Sequence, residues 1–290
     1  MSTTRSLAHL LERIHAEFPD LSWSTHRYLN NGWDHEVIIL DEKLVFRFPN
    51  SPEYLKLLED EVALLGFLDT KVNIKIPQYE FVAADHSFAG YPLIRGSELT
   101  ESIFAGMSEQ DRASIASQFA GFFTALHTID VPVLEKYHVS RETPFEYEIK
   151  NLSEKYLKPQ LTAEEYQKVE RVIAEFEQIN IDELPKALIH NDLSPKHILW
   201  DAENQSVGII DFSDRCIADP ALDFAGLYSY NSVFVEQVYA LYEGFKDPEF
   251  LNRAKTYQRQ VGVFMLADSF RTQKISFEEA KRTFDRAVTH

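Results

Sequence analysis

The chain has 290 residues, of which 44% are hydrophobic and 26% charged, a composition typical of a globular protein with one or two domains. Its formal net charge of -17 disfavours nucleic-acid phosphates and anionic membranes as partners. The charge either attracts cationic partners or serves only to keep the protein soluble. The single cysteine excludes an intrachain disulfide and no stretch reaches the roughly 18 apolar residues of a membrane span, so we expect a cytoplasmic protein.

The first fifty residues predict one helix followed by a hairpin. Apolar side chains near the N-terminus recur at helical spacing among charged ones, which predicts an amphipathic helix rather than a targeting segment. These apolar residues are Leu7, Leu10, Leu11, Ile14 and Phe18. The stretch "EVIILDEKLVFRF" then predicts two strands that turn at Asp41 and Glu42, with Phe46 on one face and Arg47 on the other.

A helix and two further strand-like pieces complete a small sheet domain. Ser51 and Pro52 are typical of a helix start, and Glu61 lies on the face that carries the leucines of this helix. Strand-like pieces follow at 74–83 and 88–94.

Beyond this sheet region the pattern is mainly helical. Capping boxes that begin at Ser108 and Thr162 predict two helices. A third helix is predicted by a stripe of four apolar residues: Phe234, Val238, Leu241 and Phe245. One hairpin, with its turn at 201–204, interrupts the helices. We therefore predict an α+β fold with two domains, residues 1–95 and residues 96–290.

The stretch "LIHNDLSPKHILWD" places a carboxylate, that of Asp192, directly after an apolar strand. Protein kinases place a catalytic aspartate five residues before a metal-binding residue, and a second metal-binding aspartate opens an Asp-Phe-Gly segment downstream. Here His197 follows Asp192 by the same offset, and Asp211 opens an Asp-Phe-Ser segment at the end of the next hairpin. The pattern suits Asp192 for accepting a hydroxyl proton and Asp211 for binding Mg²⁺ on nucleotide phosphates.

These motifs resemble those of the aminoglycoside phosphotransferase family, a branch of the kinase-like fold, and most closely its 2''-phosphotransferases. The stretches that carry the resemblance are "GWDHEVIILDEKLVFRFP", "SFAGYPLIRGSELT", "HNDLSPKHILWD" and "GIIDFSDRCIADPALDF". The resemblance implies a protein-kinase-like two-lobe fold. Residues 1–95 would form a nucleotide-binding lobe with a small antiparallel sheet and one main helix. Residues 96–290 would form a larger, mainly helical lobe with the catalytic loop and the acceptor site.

The resemblance also assigns roles to the residues of the catalytic motif. Asp192 would be the catalytic base, and His197 and Asp211 would be the metal ligands. Because Mg²⁺ prefers oxygen ligands, His197 has two alternative roles: it holds a metal-bound water or a phosphate, or it only fills the turn. Asp219 and Asp223 resemble the family's structural acids, which brace the catalytic loop.

Two positions depart from the family pattern. Arg47 stands where lysine is usual, and its guanidinium still supplies a positive charge for the nucleotide phosphates and a partner for Glu61, with a different reach. The alternative for this pair is a surface ion pair of little energetic consequence. Ser213 replaces the glycine that usually follows Asp-Phe, and we expect it to restrict the movement of Asp211.

The remaining nucleotide contacts implied by the resemblance lie at a loop and a strand end. Gly32 would be the flexible point of the loop that covers the nucleotide. The purine would bind the backbone carbonyl of Pro92 and the backbone N–H of Ile94. Proline lacks a backbone N–H but keeps its carbonyl, so both groups are present. His127 lies at the end of an apolar helical stripe, and we predict a structural role for it.

The implied reaction is transfer of the γ-phosphoryl group of ATP or GTP, with Mg²⁺, to a hydroxyl of a small cationic molecule such as an aminoglycoside antibiotic. The helix that binds ammonium groups in the 2'' branch carries clustered carboxylates, whereas "GLYSYNSVFVEQ" here contains only Glu236. Asp214, Glu146 and Glu148 are further candidates for meeting ammonium groups. Two alternatives remain: a kinase of a macrolide, sugar or amino alcohol, and a non-catalytic nucleotide-binding module. We expect a monomer.

Overall fold

The computed structural model describes residues 5–30, 34–141 and 149–289 of the chain. Its strands, in chain order, are β1 (His26–Leu29), β2 (His35–Leu40), β3 (Leu44–Pro49), β4 (Phe81–Val82), β5 (Ala89–Pro92), β6 (Ser97–Glu98), β7 (Ala187–Ile189), β8 (Ile198–Asp201), β9 (Ser206–Ile209) and β10 (Cys216–Ala218). Its α-helices are α1 (Leu7–Glu17), α2 (Pro52–Leu68), α3 (Glu101–Gly106), α4 (Glu109–His127), α5 (Val131–Leu134), α6 (Ile149–Leu152), α7 (Ala163–Phe176), α8 (Ala221–Ala225), α9 (Ser232–Leu241), α10 (Phe250–Arg271) and α11 (Phe277–Thr289). Single turns of tighter or wider helix lie at Glu135–Tyr137, Ser153–Leu157, Ile181–Glu183 and Gly226–Ser229.

The chain divides into two compact units, and neither is one continuous stretch. The first, here the sheet unit, comprises Met1–Leu99, Glu135–His138 and Lys196–Ser213. The second, here the helical unit, comprises Thr100–Leu134, Val139–Pro195 and Asp214–His290. The β8–β9 hairpin therefore belongs to the sheet unit although it lies far along the chain. The division at residue 95 into a nucleotide-binding lobe and an acceptor-binding lobe stays a prediction.

An antiparallel sheet of strand order β1-β2-β3-β5-β4 forms most of the sheet unit. The predicted β2–β3 hairpin is confirmed, with Val37 opposite Arg47 and Ile38 opposite Phe46. Because side chains alternate along a strand, Phe46 and its neighbours on one face pack with α1, whereas Arg47 lies on the other face. Ser51 caps α2 by accepting a hydrogen bond from the Tyr54 backbone N–H.

The expected strand at 74–83 is wrong for most of its length. Only Phe81–Val82 forms a strand in the main sheet. Lys75 instead bonds with β9: its N–H donates to Val207, and its carbonyl accepts from Ile209. Pro77 has no backbone N–H, so the chain cannot continue a regular ladder through it. The predicted β8–β9 hairpin is confirmed.

The helical unit buries the apolar stripes that the sequence predicts for its long helices. The α4 stripe is fully buried: Ile115, Phe119, Phe122 and Leu126. The capping box of α7 is confirmed, because the Thr162 and Glu165 side chains each bond the other residue's backbone N–H. Apolar residues of α7, α10 and α11 share one core cluster. Among the described residues, no helix is both long enough and apolar enough to cross a membrane.

The predicted stripe of the third helix is wrong at its C-terminal end. Helix α9 ends at Leu241, where the chain becomes extended at Tyr242. Leu241 and Phe245 are 52% and 45% exposed, whereas Tyr242 is 1% exposed. The aromatic residue just past the helix therefore takes the buried position that the helical period assigned to Leu241.

Candidate active site

The segment of the helical unit that carries Asp192, the candidate catalytic residue, begins where β7 ends. Strand β7 is buried throughout, and His190 directly after it is fully buried. Asn191 adopts a left-handed backbone conformation with φ of 69°, which asparagine tolerates better than most residues. The Asp192 backbone N–H then donates to Nδ1 of His190 over 3.2 Å. This turn takes the half-buried Asp192 out of the buried strand, which explains why a carboxylate follows an apolar run.

The carboxylate of Asp223, on α8, holds this turn in place. It accepts hydrogen bonds from the backbone N–H groups of His190, over 3.0 Å, and Asn191, over 2.8 Å. Asp223 is only 1% exposed, and these bonds compensate the burial of its charge. The predicted bracing role is confirmed for Asp223. Asp219 instead binds Arg253 of α10, over 2.8 Å.

His127 completes the buried network around Asp223. Its Nε2 lies 3.0 Å from Oδ2 of Asp223, and its Nδ1 lies 3.0 Å from the Tyr242 hydroxyl. Because a carboxylate only accepts hydrogen bonds, Nε2 is the donor to Asp223. The structure thus agrees with a structural role for His127: it bonds the carboxylate that holds the turn before Asp192.

Gly226, directly after α8, permits a close approach to the segment that carries Asp192. A Cβ atom at this position would overlap the backbone carbonyl oxygen of Leu193, the residue after Asp192. The overlap is with backbone rather than with the end of a flexible side chain, so one of the two segments would have to move.

Gly226→Ala is expected to destabilise the protein by about 1–3 kcal/mol, the usual cost of overpacking a core, and to lower the rate of the reaction that the resemblance implies. Urea unfolding and steady-state rates measure the two effects. Gly106→Ala is the matched control in the same unit, because a Cβ atom there meets nothing within 4 Å. If Gly226→Ala kept the stability and the rate of the wild-type protein, that result would contradict the close approach.

In the sheet unit, Arg47 is the centre of a buried polar cluster. Its Nη1 donates to Oε1 of Glu61 over 2.6 Å and to the Tyr79 hydroxyl over 3.0 Å, and that hydroxyl donates to the same Oε1 over 2.8 Å. Arg47 and Glu61 are 6% and 1% exposed, so the pairing is confirmed and the surface alternative is wrong. Burial alone would lower the pKa of Arg47, but Glu61, Tyr79 and Asp211 outweigh burial and raise it.

The other terminal nitrogen of Arg47 contacts the Asp-Phe-Ser segment. Nη2 donates to Oδ1 of Asp211 over 3.1 Å and to Oγ of Ser213 over 2.9 Å. The Ser213 hydroxyl in turn donates to Oδ1 of Asp211 over 3.0 Å. Asp211 also has a left-handed backbone, with φ of 63°. Ser213 therefore contacts Asp211 through its hydroxyl group. The expectation for Ser213 concerned only the backbone freedom lost with glycine and did not include this contact.

Asp211 and His197 are the candidate metal ligands of the sheet unit. His197 Nε2 lies 3.7 Å from Oδ2 of Asp211, so both atoms fit around one cation. Among the described residues, no three His, Cys, Asp or Glu side chains are grouped to hold a metal. Mg²⁺ is commonly bound by one or two carboxylates together with phosphate oxygens and waters, and a partial protein shell of this kind fits that ion.

The other predicted nucleotide contacts lie at the end of β5. Pro92 is the last residue of this strand and pairs with Leu44 of β3, the strand that carries Arg47. Ile94 follows two residues later and is half-buried. Pro92 is thus on the strand beside β3, and Ile94 lies two residues past the end of that strand. Gly32 lies outside the described residues.

The structure describes two of the four predicted acceptor-binding acids, Asp214 and Glu236. Asp214 is half-buried, and its backbone carbonyl accepts a hydrogen bond from Nδ2 of Asn191 over 3.2 Å. Glu236 is exposed on α9. Glu146 and Glu148 lie outside the described residues.

Sequence reasoning missed two members of the Arg47 cluster: Tyr79, and His35, whose Nδ1 lies 3.2 Å from Nη2 of Arg47. Tyr79 lies 32 residues from Arg47 in a segment expected to be a strand, so no local signal identified it. His35 could have been found, because the alternation of β2 places it two residues before Val37, on the face of Arg47.

One family model and several solved structures match this chain. A family model described as the phosphotransferase enzyme family matches residues 25–254. The structure matches the GDP and kanamycin complex of APH(2")-IIia with a TM-score of 0.82 and 26% identity, over 97% of this chain and 98% of that chain. It matches the macrolide 2'-phosphotransferase MphH from Brachybacterium faecium with a TM-score of 0.71 and 18% identity, over 97% and 98%.

A sequence relative, the uncharacterized Bacillus subtilis (strain 168) protein YcbJ, is 41% identical over 51 residues. That match spans 18% of this chain and only 16% of YcbJ. The family model, by contrast, covers most of this chain, and the sheet and helical units carry the expected kinase-like elements. On this evidence the chain belongs to the phosphotransferase enzyme family, as its resemblance to the aminoglycoside phosphotransferases predicted.

Proposed function

We propose that the chain transfers the γ-phosphoryl group of ATP or GTP, with Mg²⁺, to a hydroxyl of a small cationic molecule of the aminoglycoside class. The observation that carries the proposal is the buried Arg47 guanidinium, which is bonded to both Glu61 and Asp211. A buried cation that contacts a candidate metal ligand is suited to bind phosphate groups. The similarity to a protein solved with GDP and kanamycin supports the same donor and acceptor classes.

Asp192 is the proposed general base. Its carboxylate would accept the proton of the acceptor hydroxyl as that oxygen bonds the phosphorus. The backbone turn that presents Asp192 is held by Asp223, whose oxygens bond the two preceding N–H groups. A proton acceptor held by backbone contacts keeps its position without an entropy loss at the moment of reaction.

Asp211 and His197 would hold Mg²⁺, and Arg47 would bind the α- and β-phosphates. The metal, when bound, neutralises charge on the phosphate oxygens. The backbone carbonyl of Pro92 and the backbone N–H of Ile94 would bind the purine, and Gly32 would allow the covering loop to close. We further propose a monomeric, cytoplasmic enzyme, which would confer antibiotic resistance if its acceptor is an aminoglycoside.

The acceptor would be attracted by negative charge. The chain carries a formal net charge of -17, and Asp214 and Glu236 are candidates for contacts with ammonium groups, together with Glu146 and Glu148. Exposed carboxylates act over a Debye length that falls from about 10 Å at 0.1 M salt to about 3 Å at 1 M. Attraction of a polycation should therefore weaken as salt is raised.

The KM for a cationic acceptor should rise steeply between 0.1 M and 1 M salt, while the KM for a neutral sugar stays nearly constant. Steady-state kinetics with both acceptors at each salt concentration measure the difference. The neutral acceptor is the control for effects of salt on nucleotide binding. A KM for the cationic acceptor that does not change with salt would exclude electrostatic attraction as the basis of recognition.

A panel experiment tests the function itself. Aminoglycosides, macrolides, sugars and amino alcohols are incubated with ATP or GTP and Mg²⁺, and mass spectrometry detects the addition of one phosphoryl group. We expect addition to an aminoglycoside. If nucleotide is bound but no compound is modified by wild type, the phosphotransferase proposal fails and a nucleotide-binding module takes its place.

A kinase of another small molecule is the second candidate function. The segment around α9 offers few carboxylates, and it exposes apolar side chains instead: Val233 at 60%, Leu241 at 52% and Phe245 at 45%. An acceptor with a large apolar surface, such as a macrolide, suits these residues better than a polycation does. The macrolide arm of the panel decides between the two acceptor classes.

A further inference from the structure

The Nη2 atom of Arg47 has more hydrogen-bond acceptors than protons. It carries two protons, as each terminal nitrogen of a guanidinium does. Three acceptors surround it: Oγ of Ser213 at 2.9 Å, Oδ1 of Asp211 at 3.1 Å and Nδ1 of His35 at 3.2 Å. The three acceptors therefore compete for two protons, and any of them can leave without exposing an unpaired N–H.

His35 is held in the acceptor state. A guanidinium only donates hydrogen bonds, so Nδ1 of His35 is the acceptor and the ring proton lies on Nε2. Burial, and then the charge of Arg47, lower the pKa of His35 to about 3, so the ring stays neutral at physiological pH. The ring is 5% exposed, and within the described ranges its buried Nε2 has no hydrogen-bond partner.

An apolar side chain would avoid that unpaired N–H. Buried polar atoms are normally paired, and leaving one unpaired is unfavourable. A histidine supplies one contact here that an apolar residue of similar size would not. This is the contact between Nδ1 and Arg47. This contact is the only polar role of the ring among the described residues, and it points to Arg47 as the reason for a histidine at this position.

We propose that His35 is a positioning residue, which keeps Nη2 of Arg47 hydrogen-bonded when Asp211 turns from Arg47 to the metal ion. The proposal rests on the proposed function, because it requires Mg²⁺ and nucleotide at Asp211. With His35 and Ser213 present, both Nη2 protons remain paired after Asp211 leaves. Without His35, the two acceptors that remain before nucleotide binds are Ser213 and Asp211, so Arg47 holds Asp211 more tightly and competes with the metal.

His35→Leu should therefore weaken Mg²⁺ binding. Calorimetry measures the affinity for ADP and GDP with and without Mg²⁺, and the ratio of the two affinities is the readout. We expect this ratio to fall about three- to tenfold in His35→Leu, the order of the net contribution of one hydrogen bond. The direction follows from competition for Asp211 and is independent of the catalytic rate.

His35→Asn is the matched control, because an asparagine side chain can place an amide oxygen near the position of Nδ1. Its ratio should stay within about twofold of wild type, since one acceptor is restored. His35→Gln carries its amide farther from the backbone and should behave as His35→Leu does, and it replaces that variant if His35→Leu does not fold. Thermal unfolding of each variant verifies the folded state.

The outcomes separate this inference from the proposed function. A wild-type protein that binds neither nucleotide, with or without Mg²⁺, overturns the proposed function and this inference with it. Wild-type binding that Mg²⁺ strengthens, with an unchanged ratio in His35→Leu, overturns the positioning role alone. An equal loss in His35→Asn and His35→Leu also overturns it, because the acceptor atom would then be irrelevant.

Discussion

Asp192→Asn is expected to lower the phosphoryl-transfer rate by about 10²- to 10⁴-fold, the contribution typical of a general base. The amide has nearly the same shape as the carboxylate, so the backbone turn held by Asp223 should persist. What is lost is the capacity to accept the proton of the acceptor hydroxyl. Nucleotide affinity should stay near the wild-type value, because the proposed phosphate contacts come from other residues.

Single-turnover rates and nucleotide calorimetry on the same preparation test this prediction. Asp182→Asn is the matched control, since it removes an exposed carboxylate from the same unit and should leave the rate unchanged. A rate in Asp192→Asn above about a tenth of the wild-type rate would contradict the base assignment. A joint loss of rate and nucleotide affinity would indicate a binding role instead.

Asp211→Asn is expected to abolish most of the strengthening of nucleotide binding by Mg²⁺. Substitution of residues that only support metal ligands typically costs about 10- to 100-fold in metal affinity, and loss of a ligand should cost at least as much. Asparagine is preferable to alanine here, because Asp211 has a φ of 63° and asparagine tolerates this conformation. The effect should therefore report the lost charge rather than backbone strain.

Calorimetry with GDP and ADP at several Mg²⁺ concentrations measures the loss. Asp69→Asn is the control, because it removes an exposed carboxylate just after α2 in the same unit. Equal Mg²⁺ dependence in Asp211→Asn and wild type would remove Asp211 from the metal site. Stronger Mg²⁺-free nucleotide binding in the variant would indicate that Asp211 mainly occupies Arg47.

Arg47 has one partner that the family resemblance predicted and another that only the structure shows. The resemblance predicted its partner Glu61, which the structure confirms. The contact with Asp211 joins residues 164 positions apart, and no sequence spacing indicates a bond over that separation. The departure from lysine matters for this contact, because a guanidinium donates through two separate terminal nitrogens and an ammonium has one.

The sequence by itself determined the features that depend on neighbouring residues. The β2–β3 hairpin, the cap at Ser51 and the capping box at Thr162 all follow from side chains within a few positions of the backbone groups they affect. The bond from the Asp192 backbone N–H to His190 is likewise local, since it joins residues two positions apart. These interactions form in the same way wherever the segment lies in the fold.

Only the tertiary structure decided which distant groups meet. The helical period assigned a buried position to Leu241, but packing buried Tyr242 beside His127 instead. His127 and Asp223 are 96 residues apart, yet they bond each other, and Asp223 holds the turn before Asp192. Such contacts depend on how whole elements pack, because burial and pairing are properties of the assembled core and not of any single segment.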